Sequence, residues 1–343
     1  MGRGATVIVA GAGALGLSAA LALADAGCAV TLCDPAVEFS GASGVAAGML
    51  APVFETVLDA EGPDDLALLL AARDLWPGLA ERAGVILDRS GAVAVGSEAW
   101  LAGVKMGMTQ LGLHGAELGR VTLAALAPGL DEAFDLGVMT REDWRIEPRQ
   151  ALAALRRAAV SAGVVFRAEA VTGRGDADWL VAATGAAQGL APELTRLTPI
   201  KGQILRFADV RGAGVSLRGE GVYAVPGSGG LAVGATMEPG RADAEVDPAA
   251  LRPLAAAAGR LFPSLADATF HAAAGVRAAT PDRLPMVGAS SQPGVLVAAG
   301  ARRNGWLLAP LVAQVIADCV TGRDRGPHAA RLDTQRFEPG RAR

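Results

Sequence analysis

Arg277 stands inside FHAAAGVRAA, an apolar, strand-like run from Phe270 to Ala279, where an ionised guanidinium is costly unless an anion meets it. Its planar fork of donors matches a carboxylate through two parallel hydrogen bonds. The residue therefore reads either as a receiver for a small acid or as half of a structural ion pair with an acid such as Asp282. Tyr223, the only tyrosine, sits in the alternating stretch GVYAVP and offers one hydroxyl, with packing in a core as its other use. Arg303, Asn304 and Gly305 follow the strand-like VLVAAG and precede an apolar helix, which brings a guanidinium and helix N-terminal amides together, a setting that stabilises negative charge. The adjacent Arg302 is expected to be solvated. Histidine and cysteine offer nothing comparable. His114, His271 and His328 are far apart, and Cys28, Cys33 and Cys319 are odd in number and show no CxxC spacing. That argues against a metal site and a disulfide framework, and for a reducing, cytoplasmic setting.

The elements that must position these groups are clearest at the other end of the chain. Thr6 to Ala10 predicts a short buried parallel strand, and Gly11-Ala12-Gly13-Ala14-Leu15-Gly16 follows without a gap. Ala14 to Ala26 has helical composition and ends at Gly27, Ala29 to Cys33 predicts the next strand, and Asp34 closes it, 18 positions after Gly16. This is a complete βαβ unit. Gly11 makes the tight turn, Gly13 lets backbone N–H groups approach a pyrophosphate, Gly16 packs helix on strand, and Asp34 accepts from ribose hydroxyls. The motif predicts a bound dinucleotide without choosing between NAD and FAD. The same apolar opening, with Arg3 before it, has the look of a secretory segment. Asp25 interrupts it and its glycines sit at nucleotide-loop spacing, so that reading is rejected. No other stretch is long and apolar enough to cross a bilayer.

At 343 residues, 51% hydrophobic and 19% charged, the chain is globular and long enough for two domains, and a formal net charge of −4 excludes the basic field that nucleic acid requires. After Asp34 a nicotinamide domain would continue in regular βα units, yet PAVEFSGASGVAAGMLAPVFE reads as a long irregular segment. Its Ser40, Ser43 and the small residues Ala46 to Gly48 would let backbone lie against a large flat ligand. Ala177 to Ala183 predicts another buried strand, ending in Ala183-Thr184-Gly185. Helical patterns at about 64–75, 97–112, 148–162, 248–262 and 304–321 alternate with β-rich stretches at 200–237 and 269–300, and Pro77, Pro148 and Pro310 each fall where a helix could begin or end.

The order of motifs resembles the D-amino-acid-oxidase-like flavoproteins, and within them the glycine oxidases associated with thiamine biosynthesis. The matching segments are GAGALG with Asp34, SGASGVAAGMLAP at 40–52, PIKGQILRF at 199–207, VYAVP at 222–226, LAVGATMEPG at 231–240, GVRAATPDRLPMVG at 275–288, VLVAAGARRNGWLLAP at 295–310 and the tail LDTQRFEP. The region from about 60 to 140 carries least of the resemblance.

What the resemblance implies is an α/β architecture. A Rossmann-like FAD-binding domain (1–80, 141–198 and 285–343) would lie under a second, mainly antiparallel mixed-sheet substrate domain (81–140 and 199–284). It gives Arg277 and Tyr223 the substrate carboxylate, Met237 the pocket lining, and Arg303 contact with both flavin and substrate. Non-covalent FAD would lie against Gly11, Gly13, Ala14, Leu15, Gly16, Asp34, Pro35, Ser43, Ala47, Gly48, Met49, Val171, Thr184, Gly185, Arg303, Asn304, Gly305, Trp306 and Leu307. Related sarcosine oxidases attach their flavin through a cysteine near the position of Gly275 here. The implied reaction is hydride transfer from the substrate Cα to flavin N5 with no protein base, giving an imine, then a 2-oxo acid and ammonia, with hydrogen peroxide formed from oxygen. Implied partners are a small amino acid, oxygen, further copies of the chain in a homo-oligomer, and a thiazole synthase receiving the imine; neither nucleic acid nor membrane is expected. Many relatives have histidine where this chain has Ala301, and the position two before Tyr223 is Gly221. A wider or less polar pocket follows, which leaves sarcosine, D-alanine and D-proline beside glycine. Two other readings stay open: a D-amino-acid dehydrogenase feeding a quinone, and a non-catalytic dinucleotide-binding protein.

Overall fold

The computed structural model describes residues 4–208, 210 and 214–338; Arg3 and Pro339 of the tail motif lie outside them. A six-stranded sheet runs in the order Met286–Ala289, Val295–Ala299, Trp179–Ala182, Thr6–Ala10, Ala29–Cys33, Val165–Arg167. All neighbours are parallel except the first pair, and Val9 stands in register with both Leu32 and Val181. Its central strands are apolar and buried on both faces: helices Ala14–Asp25, Pro148–Ser161 and Gly305–Thr321 cover one face, and Ala191, Leu194, Leu197 and Ala278 pack on the other.

The second sheet has nine strands and is mixed but mainly antiparallel. Thr198–Phe207 is its longest member, pairing with His271–Ala279 on one side and with Gly230–Gly234 and Glu238–Pro239 on the other. Val222–Gly227 and Ser216–Gly219 follow, and Ser216–Gly219 runs parallel to Ala92–Ala94. Helix Pro248–Leu261 covers one face through its buried Leu251, Leu254, Ala258 and Leu261. The other face fronts a cavity.

The helical expectations match Pro63–Asp74, Glu98–Gln110, Pro148–Ser161, Pro248–Leu261 and Gly305–Thr321. Two expectations need correcting. Pro310 lies inside the last of these helices rather than at its end. A proline there leaves the carbonyl four residues earlier without its helical donor, and the buried Trp76 indole N–H supplies one, donating to Trp306 O at 3.1 Å. The segment after Asp34 is not irregular throughout, since it contains helices Ala42–Val45 and Pro52–Leu58 and a short strand, Met49–Leu50. Helix Pro52–Leu58 is capped from 90 positions away: the Asp143 carboxylate accepts from Val53 N at 2.8 Å and from Phe54 N at 3.1 Å.

Candidate active site

The glycine motif and its acid meet at the carboxyl ends of the parallel strands. Gly11 has φ +106°, and a Cβ there would come within 2.4 Å of Ala183 O, so the loop presses against the strand that ends in Ala183-Thr184-Gly185. Asp34 ties the unit together: one oxygen accepts from Ala12 N at 2.7 Å and the other from Ala36 N at 2.8 Å. Ser43 Oγ accepts from Ala14 N at 3.0 Å, and the Trp306 indole N–H donates to Ser43 O at 3.0 Å. Ser40 only closes its own turn on Val37 O.

From this loop the small residues Ala46-Ala47-Gly48 lead to a cavity of about 390 Å³ between the two sheets. Gly48 has φ +86°, and a Cβ there would strike Ile146 O at 2.1 Å, so only glycine lets this backbone lie as it does. Ala47, Gly48, Met49, Arg303, Asn304 and Trp306 line one side of the cavity, and Tyr223, Met237 and Arg277 line the other. A nucleotide loop running into a smooth, small-residue wall fits FAD: Gly11–Asp34 would hold its adenosine and pyrophosphate, and residues 46–49 would lie beside its ring system. Pro35 is exposed beside Asp34, Val171 is half-buried, and the Leu307 side chain is wholly buried in the core, so only its backbone can face the cofactor. Gly305 follows the helix cap at Asn304, where no side chain satisfies the first amides. No cysteine lines the cavity, and Gly275 does.

On the sheet wall Arg277 is unpaired. Its Nη1 donates to Thr236 O at 3.3 Å and approaches Met237 Sδ at 3.2 Å, and among the described residues no carboxylate forms an ion pair with it. Asp282, the alternative partner, is engaged by Arg336 at 2.8 Å. Burial pulls the Arg277 guanidinium below its ordinary value, with the Tyr223 hydroxyl opposing that shift, and burial pushes the Tyr223 hydroxyl up. Tyr223 packs beside Val45, Ala47 and Ile204 with its oxygen over Gly234, so it faces the cavity and shares in a core at once.

The opposite wall carries a chain of charges that the sequence reading missed. Arg303 Nη2 lies 2.6 Å from both Glu55 Oε2 and Asp59 Oδ2, Arg302 pairs with Asp59, and Arg218 reaches across from strand Ser216–Gly219 of the sheet to pair with the other oxygen of Glu55. Arg302 is thus an ion-pair partner and not a solvated side chain: its backbone at φ +49° turns it toward helix Pro52–Leu58 and Asp59 behind it. Burial works against the charge on Glu55, yet Arg218 and Arg303 hold its carboxyl below the usual range. Burial also opposes the charge on Arg303, but Glu55 and Asp59 outweigh it and raise the guanidinium. Glu55 could have been singled out as an acid in the apolar run APVFETVL; nothing local announced its partners. Gly221 lines the cavity with Trp100, whereas Ala301 is buried and absent from the lining.

The model of the family described as DAO, FAD dependent oxidoreductase, matches residues 6–319. A Rhizobium etli protein provisionally named as the thiamine biosynthesis oxidoreductase ThiO is 33% identical over 91% of this chain and 95% of its own length. The bifunctional protein ThiO/ThiG of Trichormus variabilis is 31% identical over 97% of this chain; the chain spans only 55% of that relative. Among solved structures, the glycine oxidase of Geobacillus kaustophilus superposes with a TM-score of 0.85 at 28% identity, covering 97% of this chain and 99% of that one. The iminodiacetate oxidase of Chelativorans sp. BNC1 gives 0.84 at 25%, covering 95% and 98%. The fold, the nucleotide loop and these matches agree: the chain belongs to the DAO family of FAD-dependent oxidoreductases.

Proposed function

We propose that this chain is an FAD-dependent oxidase of small amino acids, with glycine as first candidate and sarcosine, D-alanine and D-proline beside it. One observation carries the reading: Arg277 is a half-buried guanidinium at the cavity wall with no carboxylate of its own among the described residues. Such a group is stable only if an anion completes it. A substrate carboxylate does so, and the Tyr223 hydroxyl, kept protonated by burial, donates to the same group. Met237 closes the pocket over the guanidinium.

FAD, when bound, supplies the acceptor for the hydride leaving the substrate α-carbon and passes both electrons to oxygen. Held by its acid group, the substrate presents that carbon to the 46–49 wall, and orientation does most of the work. The amine reacts in its neutral form. Glu55 is no candidate to deprotonate it, because Arg218 and Arg303 hold its carboxyl below the usual range, which makes it a weak proton acceptor, and occupy both of its oxygens. Arg303, balanced by two acids, is better placed to hold the 46–59 segment and the helix start at Gly305 than to act as a free charge. For glycine and D-alanine, atoms balance as amino acid, oxygen and water going to 2-oxo acid, ammonia and hydrogen peroxide; sarcosine would release methylamine in place of ammonia, and D-proline would stop at its cyclic imine. The division into an FAD part (1–80, 141–198, 285–343) and a substrate part (81–140, 199–284) belongs to this proposal, supported by the sheet each segment enters. Relatives named ThiO and bifunctional ThiO/ThiG support a place in thiamine thiazole biosynthesis, with the imine handed to a thiazole synthase.

The test is an absorbance spectrum of the purified protein followed by anaerobic glycine, sarcosine and D-alanine in turn. Loss of the yellow colour with one of them, and peroxide on readmitting air, is expected. A colourless protein that refuses added FAD ends the proposal.

A further inference from the structure

One motif is left unused by that function: Lys201-Gly202-Gln203, in the middle of strand Thr198–Phe207. Strand alternation sends Gly202 to one face and its neighbours to the other. Gly202 lines the cavity, and Lys201 and Gln203 are both fully buried behind it. A Cβ at Gly202 would lie 2.3 Å from both terminal nitrogens of Arg277 and 2.4 Å from its Cζ. Near-equal distances to three atoms of a plane mean that the flat of the guanidinium covers the bare Gly202 backbone. Gly234 plays the same part for Tyr223, whose hydroxyl oxygen would be 2.2 Å from an added Cβ. Neither glycine has the positive φ that would explain it by backbone conformation.

Behind the strand the two neighbours hold one loop. Lys201 Nζ pairs with Asp243 at 2.7 Å. Gln203 Nε2 donates to Glu238 Oε1 at 2.7 Å, its Oε1 accepts from Asp247 N at 2.7 Å, its N–H donates to Thr236 Oγ1 at 2.9 Å, and its carbonyl accepts from Thr236 N at 3.1 Å. The loop so anchored returns Thr236 O and Met237 Sδ to Arg277.

We propose that Lys201-Gly202-Gln203 is the seat of the substrate-binding guanidinium: Gly202 leaves the room in which Arg277 lies, while Lys201 and Gln203 fix the loop that holds it from the other side. These are positioning residues. The inference rests on Arg277 being the carboxylate receiver.

The experiment uses FAD-loaded protein, with glycolate, which keeps glycine's carboxylate and lacks its amine, as a calorimetric probe. In Gly202→Ala the flexible arginine end yields before the backbone does, so the protein folds and keeps its flavin. Its glycolate Kd and glycine KM rise about ten- to a hundredfold while kcat at saturation changes far less, the penalty for a displaced but intact binding group. Gly234→Ala shows a smaller rise through Tyr223. Gly103→Ala, in open space on helix Glu98–Gln110, controls for the exchange itself and leaves affinity unchanged. Glycolate affinity that is abolished in Arg277→Met but unaltered in Gly202→Ala overturns the seat alone. Glycolate binding indifferent to Arg277 overturns the function proposed above and the seat with it. If Gly202→Ala fails to fold, Gln203→Met decides: an unchanged glycine KM in that variant overturns the proposal.

Discussion

The two walls of the cavity use the same side chain in opposite ways. On the sheet wall Arg277 is held by a carbonyl and a thioether and has no acid among the described residues. On the helix wall Arg303 and Arg302 are threaded with Glu55 and Asp59 into one chain of ion pairs, which Arg218 joins by reaching across from strand Ser216–Gly219 of the sheet. A guanidinium whose charge is already balanced serves to build; one whose charge is left open serves to bind. On the function proposed above, the cost of leaving Arg277 open is borne in the ligand-free protein and recovered when a carboxylate arrives.

Breaking the open side should have the largest effect. Arg277→Met is expected to lose about 3–5 kcal/mol of carboxylate binding while flavin stays bound; an unchanged glycine KM removes Arg277 from the site. The balanced side should respond in stability instead. Glu55→Gln strips the shared acid from Arg218 and Arg303 and should cost about 3 kcal/mol, read as a lower melting temperature. An unmoved melting point there, with KM raised, would reverse the roles of the two walls. At the nucleotide end, away from both, Asp34→Ala should weaken FAD by about 1–2 kcal/mol in a flavin titration with little change in glycine KM; the opposite pattern unseats Asp34. The smallest effect concerns the cap beneath the helix wall. Burial raises the Asp143 carboxyl to about 7 against the 3.8 of an exposed group, so its contribution to stability is fully present below pH 3.8 and is lost as pH rises through 7. A melting temperature falling by a few degrees from pH 5 to 8, and flatter in Asp143→Asn, checks this.

Gln203 and Glu55 mark what was legible and what was not. The strand holding Gln203 was read from its segment, and its alternation was available, but the loop it binds lies 33 to 44 positions further on. Arg277 and Tyr223 were picked out because a charge or a lone phenol in an apolar strand is anomalous by itself. Glu55 is equally anomalous, but its segment read as irregular because the cap that makes it helical is Asp143.

The residues alone determined the βαβ unit from Thr6 to Asp34, because strand, turn, helix and acid act within a few dozen positions and each glycine's task is local. They also determined that Arg277 must meet an anion or another side chain. That no carboxylate of the described residues pairs with Arg277, and which acids neutralise Arg302 and Arg303, was decided only in three dimensions. Pairing strength depends on distances between charges such as Arg218 and Glu55, 163 positions apart, and the packing of the two sheets fixes those distances.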